Sequence, residues 1–380
     1  ELIIQGIDNG KLDFTNDIAS AVEGKEFVFL MFDTPVNSND EVDTSKISDA
    51  VELIAPKLLD DCVIWNTSQV PVGTSEMIAA QINEINPNLS FSIVYSPENL
   101  RLGNAIDLFN NPALPVMGSN NERALERMEE LLTPLNVQWM RVNLRTAEMC
   151  KHALNSFLAT SISFANELGN ICDEMGVDSL QVAEALRLEP RIGDKARLFP
   201  GMGFSGGTLA RDVQTLRNFG DQLDIETFLL DGLWEANQYQ NEFVVRRLTK
   251  ELGDLKGKII CILGITYKPG TSTLRRSVAL DTINTLNNLG ADVKAHDPQA
   301  DLSELEQSSE FEFFEDIFQA LHQSDAIAVM TGWEQYKKID WMEAKKMVSN
   351  PLLIDCNNMF DPSKLEECGY QYFGIGRGLK

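Results

Sequence analysis

Short, continuous apolar runs alternate with helical patterns at both ends of the chain, and this alternation limits the fold most. The runs FVFLMF (27–32), CVIWNTS (62–68) and FSIVYSP (91–97) lie in the first part, and KIICILGI, ADVKAHDP, DAIAVMTGW and PLLIDCNN follow after residue 256. Strands that are buried on both faces and separated by helices indicate parallel α/β sheets. We therefore predict an α/β domain at each end, with ligands at the carboxyl ends of the strands.

The middle of the chain is nearly all helical. The segment 146–176 keeps apolar residues at helical spacing for about eight turns, and we predict a second long helix over about 225–252. The loop PGMGFSGGTLARD (200–212) lies between them. Its glycines at 201, 203, 206 and 207 predict positive φ or close backbone approach. The predicted domains are 1–140, 141–253 and 254–380.

The composition excludes several function classes. A net charge of −25 argues against nucleic acid or an anionic membrane as a partner, although helix N-termini and local cations can still hold a phosphorylated ligand. No apolar run approaches the ~20 residues that span a bilayer, and the first residues are not typical of a signal peptide. Six cysteines without a CxxC pair and three histidines make a zinc site improbable and fit a reducing cytoplasm.

Eight loops occur in an order that resembles the UDP-glucose/GDP-mannose dehydrogenase family over essentially the whole chain. Any one of these loops is weak support, but eight in order at strand ends are strong support. They are DTP (33–35), SQVPVGT (68–74), SPENL (96–100), AEMCKHALN (147–155), RIG (191–193), GMGFSGGTLARD (201–212), GITYKPGTSTLRRS (264–277) and GIGRG (374–378).

This resemblance implies two Rossmann-like domains joined by a central helical domain with a long dimerisation helix. It also implies NAD as the cofactor, a UDP-sugar as the default substrate, a role in polysaccharide biosynthesis and a homodimer. Family members oxidise the C6 alcohol of the sugar to a carboxylate with two NAD molecules in succession. A cysteine traps the intermediate aldehyde, because an aldehyde cannot donate hydride until a nucleophile or water adds to it.

The resemblance assigns catalytic roles to four matching residues. Glu98 matches a glutamate that acts near the acyl intermediate, and Asp212 an aspartate that positions water or assists proton transfer. Lys151 and Asn155 lie at i and i+4, so they share one helix face. By resemblance, Lys151 stabilises the developing alkoxide and Asn155 helps to hold the oxyanion.

Binding roles follow from the same resemblance. The predicted contacts to NAD are Thr34, Pro35, Gln69 and Arg275. The predicted contacts to the nucleotide-sugar are Arg191, Gly203, Phe204, Tyr267 and Lys268, and Arg191 would reach the sugar of the neighbouring subunit.

The chain departs from the family pattern at its reactive positions. The family's cysteine position falls on Thr208, whose hydroxyl is far less acidic than a thiol and needs a strong base to act as a nucleophile. The threonine that helps to order the catalytic water is Gln69 here. No GxGxxG turn occurs in the first α/β block, and the chain begins beyond that unit in the family pattern, so we expect a large part of the cofactor site to be absent from this sequence.

Several interpretations therefore stay open. The first is a dehydrogenase that stops at the aldehyde or completes the oxidation through an aldehyde hydrate. The second is a non-catalytic nucleotide-sugar-binding paralogue or truncated fragment. The third is a relative of 3-hydroxyacid dehydrogenases, which the second α/β block and the RIG loop disfavour.

Overall fold

The computed structural model describes residues 2–36, 42–100, 104–205, 208–305 and 310–378, and the chain divides into two compact units, 1–154 and 155–380. Gly206 and Gly207, two of the glycines predicted to need special backbone conformations, lie outside the described residues. The division into three domains expected from the sequence stays a prediction.

The first unit is an α/β layer with a five-stranded sheet in the order β1-β2-β3-β4-β5. Its strands are β1 Phe27–Leu30, β2 Cys62–Asn66, β3 Phe91–Tyr95, β4 Val116–Gly118 and β5 Met140–Val142. Its helices are α1 Leu2–Asp8, α2 Ile18–Val22, α3 Ser45–Ile54, α4 Thr74–Ile85, α5 Ala105–Asn110 and α6 Glu122–Leu131, with short 3₁₀ turns at Ala55–Lys57 and Thr133–Leu135.

The predicted strands of this unit are confirmed, but the sheet is not parallel throughout. β1, β2 and β3 are parallel neighbours, whereas β4 pairs antiparallel with β3 through Tyr95 and Gly118. Alternate residues of β2 enter two different cores: Ile64 packs with α3 and α4, and Trp65 packs with α6. This burial on both faces is what the continuous apolar run predicts.

The long central helix is confirmed as α7, Leu144–Met175, which has 32 residues and runs from the first unit into the second. The second unit continues with α8 Ser179–Arg187, α9 Leu209–Leu223, α10 Phe228–Asn241 and α11 Phe243–Leu252. The predicted single helix over 225–252 is therefore wrong. It breaks at Glu242, whose φ and ψ of −86° and 3° leave the helical region.

The second unit ends in a six-stranded parallel sheet. Its strands are β6 Ile259–Leu263, β7 Asp292–His296, β8 Glu312–Phe313, β9 Ala326–Val329, β10 Leu352–Asp355 and β11 Gln371–Gly374. Its helices are α12 Val278–Asn288, α13 Ile317–Leu321, α14 Trp341–Ala344 and α15 Pro362–Glu367, with 3₁₀ turns at Leu302–Glu304 and Glu334–Lys338. The order β11-β10-β9-β6-β7-β8 is that of a doubly wound nucleotide-binding sheet.

Both faces of this second sheet are covered, and the structure confirms the predicted α/β fold class with two sheets and a central helical region. Ile260 and Ile262 pack under α11 and α12, while Cys261 and Leu263 pack against the aromatic cluster around Trp333 on the other face. In such a sheet the strand order reverses between the first and fourth strands, here β6 and β9. Ligands bind outside the carboxyl ends of those two strands.

No helix within the described ranges has the length and apolar character that a bilayer crossing requires.

Candidate functional site

The loops after β1 and β2 meet at the carboxyl edge of the first sheet, where the sequence predicted NAD contacts. The Thr34 hydroxyl donates to the Gln69 carbonyl at 2.7 Å, and the Phe32 N–H donates to the Ser68 hydroxyl at 2.9 Å. Thr34 is buried. These bonds follow from the parallel pairing of β1 with β2, which brings both strand ends to one edge. Thr34 and Gln69 therefore lie together.

Helix α7 holds the second of these loops through two residues that the sequence analysis gave no role. The buried Glu148 carboxylate accepts from the Gly73 N–H at 2.6 Å and the Ser75 N–H at 2.8 Å. His152 Nε2 lies 3.0 Å from the Val70 carbonyl oxygen. Glu148 thus satisfies amides at the N-terminus of α4, where a negative charge is favourable.

Lys151 lies against the SPENL loop and contacts the backbone of Glu98. The ammonium donates to the Glu98 carbonyl at 2.8 Å and to Asn99 Oδ1 at 2.6 Å, and the side chain is 6% exposed. The Glu98 carboxylate is exposed and accepts from the Leu100 N–H. The structure therefore brings Lys151 to the loop and leaves the carboxylate directed at its own backbone.

Asn155 and Asp212, both predicted to be catalytic, are hydrogen-bonded. Asn155 Nδ2 donates to Asp212 Oδ2 at 2.5 Å, and both side chains are buried. Thr208 lies directly before α9 and is exposed, and its hydroxyl makes no capping bond. Its carbonyl accepts the Asp212 N–H at 3.3 Å. Thr208 and Asp212 are therefore one helical turn apart.

A cavity of about 830 Å³ opens at the switch point of the second sheet. The loop after β6 lines it with Thr266, Tyr267 and Lys268, and the start of the loop after β9 lines it with Thr331. The N-terminus of α12 lines it with residues 277–279. Gly203 and Phe204 also line it, so the structure brings four of the five predicted nucleotide-sugar contacts together in this cavity.

The cavity lining is basic in a strongly acidic chain. Arg187, Lys195, Arg197 and Lys268 line it, and no acidic side chain does so among the described residues. The first three were missed by the sequence analysis. Their signal was available, because four of the 32 basic residues fall between positions 187 and 197.

Two predicted arginines lie outside this cavity. Arg191 is exposed and pairs with Glu189 at 2.9 Å, and this bond holds the pKa of the Glu189 carboxyl below its usual range. Arg275 is exposed on the loop before α12. Within the described part of the chain, neither side chain forms a hydrogen bond or ion pair with another predicted site residue, so their roles stay predictions.

Five of the six cysteines have raised pKa values, so none of these five is an activated substitute for the cysteine that the family resemblance expects at Thr208. Burial raises the pKa of Cys62 to about 11 and also raises those of Cys150, Cys172 and Cys261. Cys356 lines the cavity, but burial raises its pKa well above the usual value, so it is a neutral thiol near pH 7.

Comparisons with known proteins agree with these observations. The NAD binding domain of the UDP-glucose/GDP-mannose dehydrogenase family matches residues 1–136, its central domain matches 145–239, and its UDP binding domain matches 261–362.

Relatives align along nearly the full chain. The UDP-glucose 6-dehydrogenase TuaD of Bacillus subtilis is 34% identical over 99% of this chain and 82% of its own length. The UDP-glucose 6-dehydrogenase of Rickettsia typhi is 32% identical over 99% of this chain and 87% of its own length. A UDP-glucose dehydrogenase structure from Pyrobaculum islandicum superimposes with a TM-score of 0.87 at 28% identity, covering 98% of this chain and 84% of that one.

The cavity at the switch point and the matched NAD binding domain therefore have one explanation: the chain belongs to the UDP-glucose/GDP-mannose dehydrogenase family, as a dehydrogenase homologue whose cofactor is NAD.

Proposed function

We propose that this protein oxidises the C6 alcohol of a UDP-hexose with NAD, and that the reaction stops mainly at the aldehyde. The observation that carries the proposal is the basic cavity of the second unit. A nucleoside diphosphate is an anion, and the cavity offers four cations with no competing carboxylate among the described lining residues. The N-terminus of α12 adds a positive dipole end at the same cavity.

The loops of the first sheet fit the uncharged part of NAD better than its pyrophosphate. Thr34, Pro35 and Gln69 offer neutral hydrogen-bonding and apolar surface, which suits a carboxamide ring and ribose. The amides at the start of α4 are bound by Glu148, so a phosphate there would have to displace a carboxylate. When bound, NAD supplies the hydride acceptor for the oxidation.

The residues of this chain that would act on the sugar are those assigned by the family resemblance. Lys151 carries a positive charge that would stabilise an alkoxide as the alcohol loses its proton. Asn155 would donate a hydrogen bond to the same oxygen, and Asp212 would assist proton transfer. Their burial supports these roles, because charge interactions strengthen where water is excluded.

Thr208 limits the second oxidation. A thiol would add to the aldehyde to form a C–S bond and give a species that can lose hydride. The Thr208 hydroxyl is a weak nucleophile, and Asp212, the carboxylate one turn away, already accepts a bond from Asn155. Turnover should therefore yield about one NADH per sugar consumed, measured by absorbance and by mass spectrometry of the product. Two NADH per sugar at an ordinary dehydrogenase rate would refute this limit.

The second candidate is a non-catalytic nucleotide-sugar-binding protein, favoured by the replacement of the reactive cysteine. It shares the cavity, so calorimetry with UDP supports both candidates and only turnover separates them. We expect UDP to bind more tightly than NAD. Lys268→Gln should weaken UDP binding by about tenfold, as expected for one lost charge-assisted bond. Lys338→Gln, a change in a lysine outside the cavity, is the matched control.

We propose that the protein is a homodimer built on α7. Four apolar side chains of this helix are 52–70% exposed in the single chain: Phe157, Phe164, Ile171 and Met175. The first three recur every seven residues, which places them on one face of the helix. A stripe of this kind marks a protein interface, and a second copy of α7 presents the same stripe around a two-fold axis.

We also propose a cytoplasmic location, supported by the six cysteines, all of which are free thiols.

A further inference from the structure

The loop 201–204 forms part of the cavity wall and is held at both ends by buried amide side chains. At its start, the Gly201 N–H donates to Asn166 Oδ1 at 2.8 Å, and Gln240 Nε2 donates to the Gly201 carbonyl at 2.7 Å. Gln240 Oε1 in turn accepts from Asn170 Nδ2 at 2.9 Å. Helices α7 and α10 therefore fix this end of the loop.

Asn237 fixes the other end through both halves of its side-chain amide. Asn237 Oδ1 accepts from the Phe204 N–H at 2.8 Å, and Nδ2 donates to the Phe204 carbonyl at 2.9 Å. The side chain is 2% exposed. A carboxylate could accept one of these bonds but could not donate the other, so the site requires an amide.

Gly203 lets the loop approach this amide closely. A Cβ added at Gly203 would lie 2.7 Å from Asn237 Oδ1 and 2.9 Å from the Asn237 carbonyl oxygen. Close backbone approach, predicted for the glycines of this loop, is therefore confirmed at Gly203. At Gly201 an added Cβ would meet only an ordinary contact, 3.7 Å from the Cys356 carbonyl oxygen, and φ is not positive.

The two residues between the clamped ends have uncommitted peptide groups. Met202 and Gly203 line the cavity, and within the described ranges their backbone N–H and C=O groups make no hydrogen bond. Peptide groups that line a cavity bond either to water or to a bound ligand. A loop whose ends are already fixed also loses less conformational entropy when a ligand binds.

We propose that Asn237 is a positioning residue, which fixes Phe204 so that the peptide groups of Met202 and Gly203 hydrogen-bond to a nucleotide-sugar in the cavity. This rests on the proposed function for the identity of the ligand. Among the described residues Asn237 does not line the cavity, so it acts on the ligand through Phe204 and its neighbours.

The test compares Asn237→Asp with the wild-type protein. The change keeps the size and the acceptor for the Phe204 N–H, but it sets a carboxylate oxygen against the Phe204 carbonyl. We expect the Kd for UDP, measured by calorimetry, to rise by at least about tenfold. In turnover, KM should rise while kcat changes little, because the lost binding is shared by the ground and transition states.

Asn218→Asp is the matched control, since the Asn218 side chain accepts a bond from Gln214 on α9 and is not among the described residues that line the cavity. If Asn237→Asp does not fold, Gln240→Met provides a second test. It removes the side-chain bonds of Gln240 at the other end of the loop and should also raise the Kd for UDP. An unchanged Kd for UDP in the folded Asn237 variant overturns the inference, as does a rise matched by the Asn218 control.

Hydrogen exchange separates this inference from the proposed function. The Phe204 amide should exchange faster in Asn237→Asp than in the wild type, whether or not UDP is present. A wild-type protein that binds no UDP refutes the proposed function. The exchange rates then test only whether Asn237 holds Phe204 in place. Equal exchange rates in the two proteins would show that Asn237 does not hold Phe204 in place.

Discussion

Asn155 on the long helix donates a 2.5 Å hydrogen bond to the Asp212 carboxylate in the first turn of α9. Asp212 is fully buried, and Asn155 is 5% exposed. A buried carboxylate needs donors, and the N-terminus of a helix stabilises its charge. The two residues therefore form one hydrogen-bonded unit, although the family resemblance assigns each a separate role.

The first prediction is that changes at these two residues are not additive. Asn155→Ala and Asp212→Asn should each lower kcat, on the order of 10²-fold, and the double variant should lose little more than either one, because each change already breaks the unit. The measurement is steady-state NAD reduction with a UDP-sugar. Losses that multiply would show that the residues act independently.

The second prediction concerns the two hydrogen bonds that the Glu148 carboxylate accepts from the backbone at the start of α4. Glu148→Gln replaces one acceptor with an N–H₂ that faces a backbone N–H, so urea denaturation should show a loss of about 1–3 kcal/mol. Glu76→Gln is the control. Glu76 is a surface partner of Arg145, whose hydrogen bond lowers the Glu76 pKa, and exposed pairs contribute little to stability. Equal losses of unfolding free energy in the Glu148 and Glu76 variants would show that the bonds to Glu148 have no special role.

The sequence could predict most of the fold, because continuous apolar runs place strands with little ambiguity. It could not predict that β4 runs antiparallel to β3, since a three-residue strand carries no signal of direction. The break at Glu242 was missed for a similar reason. No glycine or proline marks it, and the apolar spacing continues through it.

Within the candidate site, loop resemblance identified Lys151, Asn155 and Asp212 as catalytic candidates, whose roles stay predictions, but it gave no role to the residues that hold the loops in place. Glu148 and Asn237 act through burial, which is a tertiary property. A signal did exist at Asn237, because it shares a helical stripe with Leu233 and Gln240, and a polar residue on the buried stripe of a helix needs a hydrogen-bond partner.

The third prediction concerns the α7 stripe. Phe164→Glu should convert a dimer into a monomer at micromolar concentration in sedimentation velocity, because two charges would be buried without partners. Met77→Glu, at an apolar residue that is 67% exposed on α4, should leave the dimer intact. A wild-type monomer would refute the dimer and remove the reason to place Arg191 across a subunit boundary.

The fourth prediction concerns the pH dependence of stability. Burial lowers the pKa of His296 below its usual 6.5. The charge of Asp297, a hydrogen bond with the Glu315 backbone and the charge of Asp316 each raise this pKa, but together they offset the effect of burial only in part. The unfolded chain therefore takes up a proton near pH 6.5, and the folded chain does so only at lower pH. This contribution to stability is complete above about pH 6.5 and is lost as the pH falls through the folded pKa.

His296→Asn should reduce the loss of unfolding free energy between pH 7.5 and about pH 5.5, since Asn does not titrate there. Its amide can still reach the Tyr336 hydroxyl that contacts His296 Nδ1 at 3.1 Å. The exposed His322 provides the control variant His322→Asn. Urea denaturation at both pH values measures the slope, and an unchanged slope in the His296 variant would show that other groups cause it.

The last prediction restores the second oxidation. Thr208→Cys supplies a thiol that can form a bond to the aldehyde carbon, and Gln69→Thr returns the hydroxyl that helps to order the hydrolytic water in the family pattern. Because the thioester must both form and hydrolyse, each change alone should raise uronate formation slightly. The two together should raise it by more than the product of the single effects.

The readout is the ratio of NADH formed to sugar consumed, which should move from about one toward two in the double variant, with the product identified by mass. Thr208→Ser, which cannot form a thioester, is the matched control. A cysteine variant that accumulates a covalent adduct without releasing uronate would show that hydrolysis is limiting, and adding Gln69→Thr should then clear the adduct. If the wild-type protein already releases uronate at the rate of the double variant, the lack of a thiol at residue 208 does not limit the second oxidation. An aldehyde hydrate then carries the second hydride transfer.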